Sequence, residues 1–342
     1  MTNQKHILVL RFSAMGDVAM AVPVIRALVT QYPNVKLTVV TREFFAPFFR
    51  EIRNVDTFFI DPKGKHKGVF GLWKLSKELK QIQFDAVADI HNVLRTKILK
   101  VFLGGTFSQI EKGRNEKKAL ISGEKFEQLK TTHQRYATVF GSLGFPVDLS
   151  APEFPERVEL NSKLKNFISY PGLPLIGIAP FAAYEGKMYP LEKMKLVINQ
   201  LSKNFNIILF GGGNEEILQL NQIESQTPNT KSVAGKLTLG EELDFISNLE
   251  LMLSMDSGNG HIAAMLGVKV ITIWGVTHPY AGFKPFNQPQ DYQLLANKNT
   301  YPEIPTSVYG NKQPKGYENA AGSISVEEVV MKIKSVITKS KN

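Results

Sequence analysis

LMLSMDSGNGHIAAMLGVKVITIWG, Leu251–Gly275, holds two apolar runs separated by a very short helical pattern. The first run ends at Met255 and gives way to Asp256-Ser257-Gly258-Asn259-Gly260. Helical spacing follows from about His261 to Leu266, and the second run, Val268 to Trp274, comes at once. Strand, tight loop, helix and strand in that order make a βαβ unit, and such units build parallel sheets. The polar loop then sits at the carboxyl end of a strand and opens a helix, where open α/β sheets take their ligands. Backbone N–H groups without intrahelical partners and the positive end of the helix dipole favour an anion there, such as a pyrophosphate. Gly258 and Gly260 let a ligand approach the main chain closely. An ordinary strand-to-helix turn with Asp256 as its cap uses the same residues and is the alternative.

The same pattern repeats outward from this stretch. Leu175 to Pro180 reads as a strand, followed by the loop FAAYEGKMYP with Lys187 and a helix over Leu191 to Leu201. Asn206 to Phe210 is a strand ending in Gly211-Gly212-Gly213, with Asn214 and Glu215 opening a helix. A short strand at Lys231 to Val233, a loop at Gly235 to Thr238 and a helix over Leu239 to Leu249 lead back to the starting stretch. Thr277 to Tyr317 is rich in Pro, Gly, Asn and aromatics and reads as a long ordered loop. Ser325 to Thr338 is an amphipathic terminal helix with a serine cap.

The first half opens the same way. Lys5 to Arg11 is a buried strand, Ser13 to Asp17 a polar turn, Val18 to Leu28 a helix and Lys36 to Thr41 a second strand. Neither G-x-G-x-x-G nor G-x-x-x-x-G-K occurs at that turn. Asp17, at the carboxyl end of the strand and the start of the helix, is placed as a general base or as a helix cap. Asp56 to Ile60 is a third strand. Phe84 to Ile90 is a fourth, delivering His91, Asn92 and Arg95 to the same carboxyl edge as Asp17. Lys63 to Lys80 carries six lysines and one acid, Glu78, interleaved with Val69, Phe70, Leu72, Trp73 and Leu75. It reads as a loop and amphipathic helix, either a solvated lysine face or a surface that touches a membrane or an anionic substrate. His133 to Phe140 is helical, and Gly144 to Pro155 is an irregular polar stretch.

Composition narrows the function classes. The 342 residues are enough for two α/β domains, with 43% hydrophobic and 21% charged residues. Cysteine is absent, which excludes disulfides and thiolate metal sites. No apolar run is long enough to span a membrane, and no signal-peptide cleavage pattern follows the N-terminus, so a cytoplasmic location is expected. The net charge of +10 is uneven: residues 1–160 hold 24 Lys+Arg against 16 Asp+Glu, and residues 161–342 hold 17 against 15. The excess lies in the first half and fits an anionic partner, whether nucleic acid, an anionic membrane surface or a phosphorylated substrate; general solubility is the alternative. No nucleic-acid recognition motif accompanies the charge, so nucleic acid is not expected as that partner.

Two stretches carry a family resemblance. ILVLRFSAMGDVAMAVPVIRAL, from Ile7, resembles the opening of glycosyltransferase family 9, the lipopolysaccharide heptosyltransferase family: a strand, R-x-S-x-x-G-D, and a helix with an early proline. MDSGNGHIAAMLGVKVITIWG, from Met255, resembles the family's second signature, D-[ST]-G-x-x-H-x-A-A followed by a glycine-ended strand. The likeness runs over essentially the whole chain. It implies a GT-B fold, two doubly wound Rossmann-like domains facing a central cleft. The expected limits are an N-terminal acceptor-binding domain over 1–165, a C-terminal donor-binding domain over 166–324, and a terminal helix over 325–342 that packs back on the N-terminal domain.

The resemblance further implies an inverting transfer of heptose, or a related sugar, from an ADP-sugar to an acidic inner-core lipopolysaccharide acceptor. Asp17 would take the proton from the acceptor hydroxyl. Lys187, Ser257 and Gly258 would hold the donor pyrophosphate, Asp256 the sugar hydroxyls, and His261 would brace the loop. Gly212 and Leu237 would lie near the nucleoside. Ser13, Gly16, Lys63, Lys65, His91 and Arg95 would meet the acceptor. No metal and no cofactor beyond the nucleotide sugar is expected; no D-x-D motif occurs in the chain. A place on the cytoplasmic face of the inner membrane, with peripheral contact, follows from the acceptor. Ala182 and Ala183 depart from the hydroxyl residues expected in the phosphate loop. The competing functions are a nucleotide-sugar epimerase or hydrolase on the same scaffold, and a nucleotide-binding relative without turnover.

Overall fold

The computed structural model of the chain describes residues 4–338. In chain order the elements of the first half are β1 (Lys5–Leu10), α1 (Met15–Gln31), β2 (Val35–Thr41), β3 (Val55–Phe59), α2 (Gly68–Lys80), β4 (Ala86–Asp89), α3 (Leu94–Leu103), β5 (Thr106–Gln109), α4 (Arg114–Ser122) and α5 (Thr132–Gly141). The rest are α6 (Ser162–Lys165), β6 (Leu175–Ala179), α7 (Leu191–Leu201), β7 (Asn206–Leu209), α8 (Asn214–Gln226), β8 (Thr230–Ser232), α9 (Leu239–Ile246), β9 (Leu251–Met255), α10 (Gly258–Met265), β10 (Lys269–Trp274), β11 (Gln293–Leu295) and α11 (Val326–Thr338).

The first unit is built on a five-stranded sheet of order β3-β2-β1-β4-β5, with every pair parallel. Its central strand aligns Ile7 with Leu37 on one side and with Ala86 on the other. Ile7 to Leu10 are fully buried without alternation, because helices cover both faces of the sheet. α1 packs with α5, and α2 packs with α3. Leu72, Leu75, Leu79 and Leu99 close one core under β1 and β4.

The second unit holds a six-stranded parallel sheet of order β11-β10-β9-β6-β7-β8. Leu253 on β9 aligns with Ile178 on β6 and Ile271 on β10. Both sheets are thus of the doubly wound type expected.

The chain divides differently from the sequence expectation. The first unit takes in the described chain up to Lys112 together with Thr132–Glu153; the second takes in Gly113–Thr131 and the chain from Phe154 onward. α4 goes with the second unit because Leu120 and Leu129 pack on Ala281. The limit falls before Phe154 because that ring lies against Phe286, with centroids 6.2 Å apart.

The terminal helix α11 lies on α7, and its Val329, Ile333 and Val336 are buried in the core of the second sheet. Its apolar stripe fits the groove that α7 leaves over β9, and Ser325 caps it, accepting the Glu328 N–H at 3.0 Å. Residues 339–342 of the expected helix lie outside the described residues.

Helix starts also shift. α1 begins at Met15 and α10 at Gly258, so Gly16, Asp17, Gly258 and Gly260 lie in first helical turns rather than in open loops. The stretch 277–317 contributes the edge strand β11, whose apolar content is too short to register as a period.

Ile333 is fully buried in the second core. Ile333→Ala is expected to lower the unfolding free energy by about 2–5 kcal/mol, read by urea titration, through the cavity it leaves. A change below about 0.5 kcal/mol, the range of surface substitutions, would detach α11 from that core.

Candidate active site

In the first unit the strand order reverses between β1 and β4, so the loops that follow these strands diverge to opposite faces and leave a crevice at their carboxyl ends. Asp17 stands there in the first turn of α1, with its side chain one-third exposed. The Arg11 guanidinium, almost fully buried, forms an ion pair with Asp17 Oδ2. The Ala14 N–H reaches the same oxygen at 3.4 Å, so the carboxylate also serves as the reach-back cap of its helix. Both contacts fall on Oδ2. Arg11 is itself fixed by donation to the Ile90 carbonyl at 2.9 Å, which ties the β1 end to the β4 end. The Tyr136 hydroxyl, from α5, donates to the Asp17 carbonyl at 3.3 Å. Burial pushes the Tyr136 phenol well above the usual tyrosine range.

His91 follows β4 in the same crevice and is 7% exposed. Its Nδ1 accepts the Phe12 N–H at 3.4 Å, and its ring meets Phe12 edge-on at 5.2 Å. Burial, reinforced by Arg11, Lys112, Arg95 and Arg42, lowers its pKa from 6.5 to about 3. The neutral ring therefore braces one loop against the other and keeps Nε2 for a polar neighbour. Asp89, fully buried, holds the turn by accepting the His91 and Asn92 N–H groups at 2.9 and 2.8 Å. Ser13 and Gly16 are half-buried beside Asp17, and Arg95 is exposed on the first turn of α3.

Lys63 and Lys65 sit in a turn organised by Asp61, which accepts the backbone N–H groups of Lys63, Gly64 and Lys65. Lys65 is drawn to Glu78 at 2.9 Å rather than projecting freely.

The second sheet reverses between β6 and β9, and the loops after these strands bring Lys187 and Asp256 together. Lys187 Nζ lies 2.9 Å from Asp256 Oδ2, with both side chains nearly buried. The Thr277 hydroxyl donates to the same oxygen at 2.9 Å. The Lys187 loop is seated by two glycines. A Cβ at Gly275 would stand 2.1 Å from the Gly186 carbonyl oxygen, and one at Gly310, where φ is +79°, would stand 2.4 Å from Lys187 Cγ. Ser257 is the N-cap residue of α10, and its buried hydroxyl has no hydrogen-bond partner among the described residues. Gly258 follows in the first turn, and His261 is buried one turn further along.

A cavity of about 560 Å³ opens after β6 and β7, lined among others by Phe181, Ala182, Tyr189, Gly212 and Glu216; Glu185 and Met188, which flank Lys187, also line it, while Lys187, Asp256, Ser257 and Gly258 do not. Gly212 is held at its wall by donating its N–H to Glu216 at 2.8 Å. Leu237, half-buried in the loop after β8, does not line the cavity. Among the described residues no group of three or more His, Cys, Asp or Glu side chains is placed to hold a metal ion.

Arg11, Tyr136 and Thr277 are the residues that sequence reasoning did not single out. Arg11 stands inside the R-x-S-x-x-G-D stretch and was within reach. Tyr136 and Thr277 lie on other elements, and nothing in their local sequence marks them.

Comparison with known proteins follows from this geometry. Residues 72–312 match the profile of glycosyltransferase family 9 (heptosyltransferase). The chain is 26% identical over 347 aligned positions to the lipopolysaccharide core heptosyltransferase OpsX of Haemophilus influenzae, covering 97% of each. Its fold is similar to the glycosyl transferase family 9 structure from Veillonella parvula, with a TM-score of 0.76 at 19% identity and 99% of both chains covered. It is also similar to E. coli heptosyltransferase WaaC with ADP, with a TM-score of 0.69 at 18% identity, covering 97% of this chain and 99% of that one. These likenesses make the fold GT-B.

The depressed His91 pKa sets a pH dependence. Below the ordinary value of 6.5 the unfolded chain binds a proton that the native ring does not take up until about pH 3, so native stability falls as pH drops through that window. His91→Gln is expected to remove up to about 1.4 kcal/mol per pH unit from the slope of unfolding free energy between these values. His278, lowered to about 4 by burial, titrates equally in both proteins. Identical slopes for wild type and variant would show that His91 is protonated in the native state.

Proposed function

The chain belongs to glycosyltransferase family 9, the heptosyltransferases, and on that premise we propose that it moves a heptose from an ADP-sugar to an acidic acceptor of the inner-core lipopolysaccharide type, with inversion. The observation that carries this reading is the cluster at the β6/β9 reversal. A nearly buried lysine, a carboxylate, a helix N-terminus and an unpartnered buried serine hydroxyl converge there beside a nucleotide-sized cavity. A buried hydroxyl without a partner marks a place where a ligand oxygen belongs.

The chemistry matches these groups. The acceptor hydroxyl attacks the anomeric carbon, its proton passes to Asp17 Oδ1, and the bond from that carbon to the pyrophosphate oxygen breaks. Negative charge grows on the departing diphosphate. In this reading Lys187 and the N–H groups at Ser257 and Gly258, at the N-terminus of α10, receive it. Asp256 then has two roles: it holds Lys187 and Thr277 in place and offers its carboxylate to sugar hydroxyls. The nucleoside takes the cavity with Gly212 at its wall, and Ala182 leaves room there where a hydroxyl residue would have bound phosphate.

On the acceptor side Arg11 and the Ala14 N–H aim the Asp17 carboxylate, and His91 Nε2 with Arg95 and Lys63 receives acidic groups. OpsX and WaaC are named for lipopolysaccharide core transfer and for heptose transfer with ADP, which supports the same donor and acceptor class. The lipid-borne acceptor makes the cytoplasmic face of the inner membrane the proposed place of work; among the described residues no helix is long and apolar enough to cross a membrane.

Titration against ADP, UDP, GDP and CDP tests the donor. ADP should bind best, and Lys187→Ala should weaken it about 10- to 100-fold by removing a charged hydrogen bond. Preference for another nucleotide would discard ADP-heptose while leaving a glycosyltransferase. Asp17→Asn should keep donor affinity and lower kcat about 100- to 10,000-fold. Turnover at the wild-type rate would remove Asp17 as the base.

A further inference from the structure

The outward faces of α2 and α3 are strongly basic and strongly apolar at once. The two helices pack side by side over β1 and β4, using Leu72, Leu75, Leu79, Leu99 and Leu103 inward. Outward they leave Phe70 75% exposed, Leu94 73% and Val101 79%, with Val69 and Trp73 also exposed. Phe70 and Trp73 stack on one another at 5.4 Å, and Lys77 Nζ lies 3.8 Å from the Trp73 ring. Lys67, Lys74, Lys77, Lys80, Arg95, Lys97 and Lys100 surround these side chains, all exposed. Glu78 is the single acid on the two helices, and Lys65 and His66 already take up its carboxylate.

We propose that this face is a docking surface for an anionic lipid bilayer. A polyanion in water, such as nucleic acid, would use the lysines but leave Val69, Leu94 and Val101 hydrated at full cost. A bilayer interface satisfies both sets. Trp and Phe rings settle at headgroup depth, aliphatic side chains enter the acyl boundary, and lysine stems lie along the surface with their charges on lipid phosphates. The charge complementarity names the occupant as anionic lipid rather than neutral lipid. This inference deepens the acceptor reading above, because that acceptor is lipid-borne, yet it rests on a surface separate from Asp17 and Lys187.

The test is flotation of the full chain with vesicles of phosphatidylcholine alone and of phosphatidylcholine with an equal part of phosphatidylglycerol, with neither donor nor acceptor present. Binding to the mixed vesicles, released by high salt and absent on the neutral ones, is expected. The combined variant Lys74→Glu, Lys77→Glu, Lys80→Glu should lower the partition coefficient at least about 100-fold, at roughly fivefold for each lysine lost before the added repulsion of the new carboxylates. Lys203→Glu with Lys334→Glu, on the second unit, should leave it unchanged. Equal partition onto both vesicle types, or undiminished binding of the triple variant, would overturn the proposal. Should the triple variant fail to fold, brominated lipid decides on the wild type. Trp274 is buried at 1% exposure, so quenching reports Trp73, and unquenched emission would overturn the proposal. Transfer to a lipid-free acceptor without vesicle binding would remove the docking surface and leave the activity standing. Vesicle binding without transfer would support the surface and remove only the acceptor.

Discussion

Each unit begins its sheet in the middle. β1 and β6 are laid down first, the chain builds outward on one side, and then a crossover carries it back to start again on the other. Because parallel crossovers are right-handed, building in the opposite direction sends the later helices to the other face of the sheet. The loops after β1 and β4, and after β6 and β9, are therefore pulled apart at their carboxyl ends. Asp17, His91, Lys187, Asp256 and Ser257 all hang from one of these two reversals. The crevice exists before any ligand does, and the loops only furnish it.

Both crevices are furnished with a nearly buried cation against a carboxylate: Arg11 with Asp17, and Lys187 with Asp256. Such pairs contribute little net stability, because withdrawing both charges from water costs about what their attraction returns. Their effect is orientation. Arg11 is anchored on the Ile90 carbonyl and Asp256 on the Thr277 hydroxyl, so each carboxylate has one oxygen committed to the protein. In the second unit the close seat of the Lys187 loop on Gly275 and Gly310 adds a steric constraint to the electrostatic one. A lysine on an exposed loop would lose that definition to side-chain entropy.

The uneven charge of the chain also acquires a place. Much of the excess in the first half sits on α2, α3 and the turn before α2, on helices whose inner leucines belong to the core of the first sheet. The same two helices thus hold the β1 and β4 ends in register on one side and carry cations with exposed aromatic and aliphatic groups on the other.

What the sequence determined by itself is what local periodicity and short-range chemistry encode. The two βαβ openings, the glycine-bearing turns after strands, the caps at Asp17 and Ser325, and the residue types at 187 and 256 to 258 were all legible, because each is written in contiguous residues. Helix starts were read a few residues late at Met15 and Gly258, since polar and glycine residues look like loop until their backbone N–H groups are seen to open a helix. Only the tertiary structure decided which unit receives α4 and α11, that β11 completes the second sheet, that Lys187 pairs with Asp256, that Tyr136 holds the Asp17 backbone carbonyl and that Thr277 holds the Asp256 carboxylate. Those outcomes depend on contacts between segments far apart in the chain, where burial and shape choose the partner and no local pattern records the choice.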